Sequence, residues 1–222
     1  MEISQGYFSS DRTTMTKINK KQEQRQASIE KLLACALNLF VKVGYRATTV
    51  DQIVADAGVT KGTLYFYFKT KDEVMLRLLE EAEAYVVDPI AGNLLAVGPR
   101  ASDKLAGFIN SQSKLGLTKP QHVLLLILMS IEFAGTGTQI EQCVKAIYSR
   151  MYKQLEELIC LGQSEGTFRT DLDAKTLTSI VIAGHDGVLV EWYRRNNELG
   201  GKELARTLRG ILLSGLLVAQ SK

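Results

Sequence analysis

Residues 49–73 read TVDQIVADAGVTKGTLYFYFKTKDE, and this stretch decides the fold of the chain's first third. It reads as two short helices joined by a tight glycine turn, followed by the start of a third. Thr49 is a good N-cap and Gln52 stands three residues later, the spacing of a capping box. Ile53, Val54 and Ala57 give the short helix one apolar side. Gly58 suits the left-handed conformation that ends a helix and turns the chain. Thr60 is placed to cap a second helix, expected from Lys61 to about Phe68. This is the pattern of a helix-turn-helix, whose second helix enters the DNA major groove. The chemistry agrees: Thr60, Lys61, Thr63, Tyr65, Tyr67, Lys69 and Lys71 are hydrogen-bond donors in or beside that helix, and no acid lies between Asp56 and Asp72. Gly62 removes a side chain near the helix start, where backbone can approach a phosphate.

On either side the chain reads as helix after helix. Residues 1–19 read as a flexible tail. A long helix is expected from about Lys20 to Val43, with Ile29, Leu32, Leu33, Ala36, Leu37 and Phe40 stepping by three and four and Gly44 ending it. Thr70 and Glu73 form a second capping-box pair that opens a helix carrying Val74, Leu78 and Leu79. Pro89, Gly92, Gly98 and Pro99 mark a break after it. Further helices are expected over Ser102–Leu115, Gln121–Phe133, Gln139–Glu165, Asp173–Asn196 and Lys202–Ala219, with a turn at Gly116–Pro120 and a loop at Gly135-Thr136-Gly137. The helix at 121–133 is apolar nearly all round, the signature of a buried one. No strand pattern of convincing length and no internal repeat is present. The expected class is all-α: a three-helix head over residues 20–72 and a helical bundle over residues 73–222.

The stretch from Gly58 through Thr60, Lys61, Gly62, Leu64, Tyr65 and Phe68 to Lys71 and Glu73 resembles the signature of the tetracycline-repressor (TetR) family of bacterial regulators. The resemblance begins near Arg25, in the helix that holds Ala36, Leu37 and Phe40, and continues through Gly44 and Tyr45 into the helix after Glu73. It implies a transcription regulator with a DNA-reading head and a C-terminal bundle that binds a ligand and dimerises. In this family the last two helices form a four-helix interface with their symmetry mates.

Charge fits a division of labour. The chain has 222 residues, 45% of them apolar, and a formal charge of +3. Residues 1–71 carry 11 Lys and Arg against 6 Asp and Glu, whereas residues 72–222 carry 16 against 18. A basic N-terminal part on a slightly acidic remainder places nucleic acid at one end only. The first twenty residues lack the apolar core of a signal peptide. The longest apolar run, Val123 to Met129, is too short to span a bilayer. Cys35, Cys143 and Cys160 are scattered without CxxC spacing, read as small buried apolar residues and not as a disulfide framework. The expected location is the bacterial cytoplasm, associated with the nucleoid when bound to DNA.

Individual roles follow from position. Thr60, Lys61, Gly62, Thr63 and Tyr65 occupy the start of the recognition helix, and a Lys there can read guanine acceptors. Tyr67 and Lys71, with Thr48 and Thr49 at the start of the preceding helix, are candidates for phosphate. Leu64, Phe66 and Phe68 are assigned to the core of the head. Lys20, Lys21 and Arg25 are a candidate basic arm or a solvated helix start.

In the C-terminal part, Phe108, His122, Met129, Phe133, Tyr148, Met151, Tyr152, His185 and Trp192 are candidate ligand contacts, with core packing the competing reading. Ile180, Gly184, Gly187, Val188, Leu208, Leu212, Gly215 and Leu216 are candidate dimer contacts, because small residues let helices approach closely. A dimer also suits a pseudo-palindromic operator, with half-sites one helical turn (~34 Å) or a multiple apart.

Enzyme signatures are missing. Two histidines stand far apart, and no HExxH, CxxC or Gly-x-Ser-x-Gly pattern occurs. Gly58 and Gly62 do not make a phosphate loop, since Lys61 precedes Gly62 and no strand leads in. Neither cofactor nor metal is expected. The expected partners are double-stranded DNA, a second copy of the chain and a small, hydrophobic effector. A DNA-binding dimer without a small-molecule effector, either an activator or a protein-regulated factor, is the alternative.

Overall fold

A computed structural model describes the backbone of residues 8–90, 100–195 and 198–217, and side chains within those ranges from Gln22 onward. Among the described residues there are nine α-helices: α1 (Phe8–Val43), α2 (Val50–Ala57), α3 (Lys61–Tyr67), α4 (Lys71–Val86), α5 (Ala101–Thr118), α6 (Pro120–Glu132), α7 (Gln139–Ser164), α8 (Ala174–Arg194) and α9 (Gly201–Leu216). The chain divides into two compact units, Met1–Val74 and Met75–Lys222. The only extended pairing among the described residues is an isolated bridge between Phe168 and Leu217.

The first unit is built on the second half of α1. Leu32, Leu33, Ala36, Leu37 and Phe40 are buried there, with Ile53, Val54 and Ala57 of α2 and Leu64 of α3. Phe40 meets the ring of Tyr45 with centroids 5.3 Å apart. α1 begins at Phe8, twelve residues before the start expected at Lys20. The reason lies in the sequence: residues 8–19 hold neither Gly nor Pro, so nothing in them breaks a helix. The first seven residues of the expected tail, and the side chains of Lys20 and Lys21, lie outside the described residues.

The second unit wraps helices around α6. Val123 through Ile127 and Met129 are all buried, as an all-round apolar helix must be, and Pro120 opens it at a position where a missing N–H costs nothing. The turn expected from Gly116 is a correction. α5 continues through Gly116 to Thr118, because Gly116 is buried in the helix and a Cβ there would sit 3.6 Å from Leu189 of α8. Of the break after α4, Pro89 follows the helix end, while Gly92, Gly98 and Pro99 lie outside the described residues, as does the expected helix end at Ala219.

α7 ends before Gly166, whose φ of 69° is left-handed. The chain then folds back, and Phe168 sits fully buried against Gly162, where a Cβ would lie 2.1 Å from the ring. Cysteine burial is a second correction: Cys160 is exposed, and Cys35 and Cys143 are half-buried. Cys160 falls on the solvent side of α7, off the face that carries Leu155, Leu158 and Ile159.

Candidate nucleic-acid interface

The helix-turn-helix is held by caps at every joint. The Thr49 hydroxyl accepts from the Gln52 amide at 3.2 Å, and the Gln52 side chain accepts from the Thr49 amide at 2.7 Å, closing the capping box. Gly58 has φ 62°, and its N–H donates to the Ala55 carbonyl at 3.1 Å. The next amide, of Val59, donates to the Val54 carbonyl at 3.0 Å. This satisfies the end of α2 and turns the chain within two residues. The Thr60 hydroxyl accepts from the Thr63 amide at 3.2 Å and starts α3.

α3 therefore has a fixed rotation. Leu64 is fully buried beneath it, and Phe68 just past its end is buried too. Thr60, Lys61, Gly62, Tyr65 and Phe66 are exposed, while Thr63 and Tyr67 are half-buried. A Cβ on Gly62 would meet only the Thr60 hydroxyl, at 3.6 Å, so the fold does not require glycine there. Glycine within a helix costs about 0.5–1 kcal/mol relative to alanine. Its presence on the exposed face suits close approach by another molecule.

Charge is concentrated around this face. Lys61 pairs with Asp51 of α2 at 2.7 Å, and that bond raises the lysine pKa. The Arg25 guanidinium lies over the rings of Phe66 and Tyr67, at 5.8 and 5.7 Å from their centroids. Arg25 thus stands beside the recognition helix.

Three expectations are corrected here. Phe66, assigned to the core, is 72% exposed, because the buried stripe of this seven-residue helix is filled by Leu64. Thr48, expected at phosphate, is buried, and its hydroxyl donates to the Gly44 carbonyl at 2.7 Å. Lys71, expected at phosphate, donates instead to the carbonyls of Tyr45 and Thr48, at 2.8 Å each. Its ammonium also lies 4.1 Å from the Tyr45 ring centroid, and the Tyr45 hydroxyl donates to Asp72. Lys71 is a clasp between the start of α4 and the α1–α2 turn. The side chain of Thr49 stays exposed alongside its capping role.

The candidate ligand residues separate into three groups. Met129, Tyr148 and Tyr152 line an open cleft of about 570 Å³ between α6, α7 and α8, together with Ser130, Ile182 and Asp186. The Tyr148 hydroxyl donates to Asp186 at 3.1 Å; burial, then the aspartate charge, pushes its pKa far above the ordinary range. His185 and Trp192 instead face a narrow slot between α5, α8 and α9, beside Gln112, a residue the sequence reading missed. Phe108, Phe133 and Met151 are plain core and line neither space. His122 is also buried outside both, its ring edge-on to Tyr85 at 5.0 Å. Burial, with the Lys119 charge beside it, pulls its pKa down to about 4.

Among the candidate dimer contacts, Leu212 and Leu216 are already buried within the chain, a correction explained by their place on the inner side of α9. Gly184 packs internally, since a Cβ there would be 3.1 Å from Leu208. Val188 lines the slot. Ile180, Gly187 and Gly215 remain on the outside, joined by Ala183, Gly210, Ile211 and Ser214. No described helix is long and apolar enough to cross a membrane, and no group of three or more His, Cys, Asp or Glu among the described residues is placed to hold a metal.

Comparison with known proteins decides the family. Residues 32–78 match the model of the bacterial regulatory proteins, tetR family, and residues 83–215 match that of the YsiA-like protein, C-terminal region. The chain belongs to the TetR family. The crystal structure of the MbdR regulator from Azoarcus sp. CIB is 62% identical, covers 86% of this chain and 100% of its own, and superposes with a TM-score of 0.80. The TetR-family fold recurs in the regulator FadR from Bacillus subtilis, solved in complex with stearoyl-CoA. That structure is 21% identical, covers 84% of this chain and 98% of its own, and has a TM-score of 0.69. The fatty acid metabolism regulator protein of Bacillus subtilis (strain 168) is 20% identical over 201 residues, 87% of this chain and 98% of the relative. The TetR-family assignment makes this chain a transcription regulator with a helix-turn-helix DNA-binding domain, and not an enzyme.

Proposed function

We propose that this regulator is a dimeric repressor that reads a pseudo-palindromic operator through α3 and leaves it when a small hydrophobic effector binds its C-terminal bundle. The observation that carries the reading is the outward face of α3. Lys61, Gly62 and Tyr65 are exposed together on a helix whose opposite side is packed, in a head that is basic and free of acids from Val59 to Lys71. Residues 20–72 do the reading, and residues 73–222 hold effector and partner. Thr60, Lys61, Thr63 and Tyr65 meet base edges or phosphates, and Thr49 and Tyr67 meet phosphate. The protein acts in the cytoplasm, where its DNA is.

The effector is assigned to the cleft of about 570 Å³, within the span typical of small-ligand sites. Tyr148, Tyr152, Met129 and Ile182 give it apolar walls, and Ser130 and Asp186 supply polar anchors. A TetR-family relative bound to stearoyl-CoA favours an acyl thioester as the first class to test. For release, the effector must favour the non-binding conformation by a differential free energy, typically ~1–3 kcal/mol in such coupling.

The test is fluorescence anisotropy of the full chain on its own upstream DNA, with unrelated DNA as competitor, a salt titration and added stearoyl-CoA. Site-preferring, salt-sensitive binding at two protomers per site supports the operator reading. No binding at low salt overturns it. An acyl thioester that binds without changing operator affinity overturns the release mechanism alone.

A further inference from the structure

Phe66 is the most exposed aromatic ring of the described head, at 72%, although the helix that bears it buries Leu64 completely. It stands one turn beyond Gly62 and beside Tyr65, on the face assigned above to DNA. Lys61, Tyr65 and Tyr67 each offer a donor to phosphate or base, but a phenyl ring offers none. Whatever covers Phe66 must be apolar where the ring lands. The surroundings are cationic, with the Arg25 guanidinium 5.8 Å from the ring centroid, so the covering molecule is a polyanion that also presents an apolar group. In the major groove, only the 5-methyl group of thymine meets both conditions on a base edge.

We propose that Phe66 is a specificity-determining residue whose ring packs on the 5-methyl group of a thymine in each half-site. Arg25, held across the rings of Phe66 and Tyr67, faces the adjacent backbone of the same strand. The inference rests on the operator reading and adds to it a base preference that hydrogen-bond donors do not give.

The test replaces each thymine of the footprinted operator in turn by deoxyuridine, which deletes the methyl and leaves the pairing intact. Full-length wild type and the Phe66→Ala variant are compared by anisotropy at fixed salt. Because the ring is exposed, Phe66→Ala is expected to fold, and circular dichroism checks this. Phe66→Leu, which keeps an apolar group, serves as a second variant with partial methyl sensitivity.

One thymine per half-site should cost wild type about fourfold in affinity when its methyl is removed, and about fifteenfold when both half-sites are changed. The same change should cost Phe66→Ala nothing. The proposal is overturned if no thymine is methyl-sensitive, which would put the ring against sugar, or if Phe66→Ala keeps the full sensitivity. A wild type with no site preference at all would overturn the operator reading itself, a separate and recognisable result.

Discussion

Lys61 of α3 and Asp51 of α2 form an ion pair at 2.7 Å, both side chains more than half exposed. Such a pair contributes little to stability and is easily exchanged for a better anion. It sits at the start of the recognition helix, where a phosphate or a guanine would compete with Asp51 for the ammonium. Lys61→Ala should therefore lower operator affinity about tenfold and reduce the slope of log affinity against log salt by about one. Asp51→Asn should raise affinity about twofold to fivefold at low salt, with the gain disappearing as salt rises. Anisotropy titrations at three salt concentrations decide it. Equal salt slopes in wild type and Lys61→Ala would remove Lys61 from the interface.

The Lys71 ammonium is committed elsewhere. Bonds to the carbonyls of Tyr45 and Thr48 tie the start of α4 to the α1–α2 turn. Lys71→Met should cost about 2 kcal/mol of stability, the usual scale for a charged hydrogen-bond donor. At temperatures where the variant is folded, its salt slope on operator DNA should equal that of wild type. A reduced slope would return Lys71 to the phosphate contacts.

Much of the head was legible from local rules. The Thr49–Gln52 box, the left-handed Gly58 and the Thr60 cap are each fixed by residues within four positions, so sequence alone dictates them. The facing of Phe66 was not legible. In a seven-residue helix with three aromatics in a row, periodicity cannot choose which ring turns inward, and the choice is made by packing against α1 and α2. Lys71 failed for another reason: its long side chain reaches carbonyls 23 and 26 residues away in sequence. The ligand residues split into cleft, slot and core because three helices must meet before a cavity exists. Residue type alone could not separate Tyr148 from Phe108.

The close approach of Gly162 to Phe168 gives a prediction about the second unit. A Cβ at 162 would stand 2.1 Å from the ring, and the ring is fully buried. Gly162→Ala should destabilise by about 1–3 kcal/mol through overpacking. Adding Phe168→Leu should restore part of that loss, whereas Phe168→Leu alone should destabilise. Thermal unfolding of the four proteins gives the coupling. Additive effects would mean that the chain around residue 168 moves aside freely.

His122 makes stability depend on pH. Burial, reinforced by the Lys119 charge, lowers its pKa from 6.5 to about 4, so the folded protein keeps the imidazole neutral where the unfolded chain protonates it. Glu81 approaches at 3.8 Å, too far for a hydrogen bond, and does not reverse the sign. The unfolded state binds more protons between those two values, so stability is fully present above 6.5 and falls as pH drops toward 4. His122→Phe should flatten the melting temperature across that window. A variant that keeps the wild-type slope would assign the pH dependence to other groups.

The outer face of α8 and α9 bears directly on assembly. Ile180 is 59% exposed and Ile211 is 64% exposed, while Ala183, Gly187, Gly210 and Gly215 beside them leave backbone within reach. Two β-branched aliphatic side chains among small residues form a surface that a matching helix pair can cover closely. If this is the dimer face, Ile180→Arg with Ile211→Arg places four like charges in one isologous patch, two from each copy, which leaves them desolvated and mutually repelling. The double variant should sediment as a monomer and lose at least about tenfold in operator affinity, since each head would then bind its half-site alone. Its melting temperature at high dilution should match that of wild type at the same dilution. Leu212→Ala is the contrast: Leu212 is buried within the chain, so the variant should lose about 2–4 kcal/mol of stability yet still dimerise when folded. Sedimentation velocity and anisotropy on the same samples separate the two effects. A double-arginine variant that remains dimeric would move the interface off this face, while leaving the reading of α3 untouched.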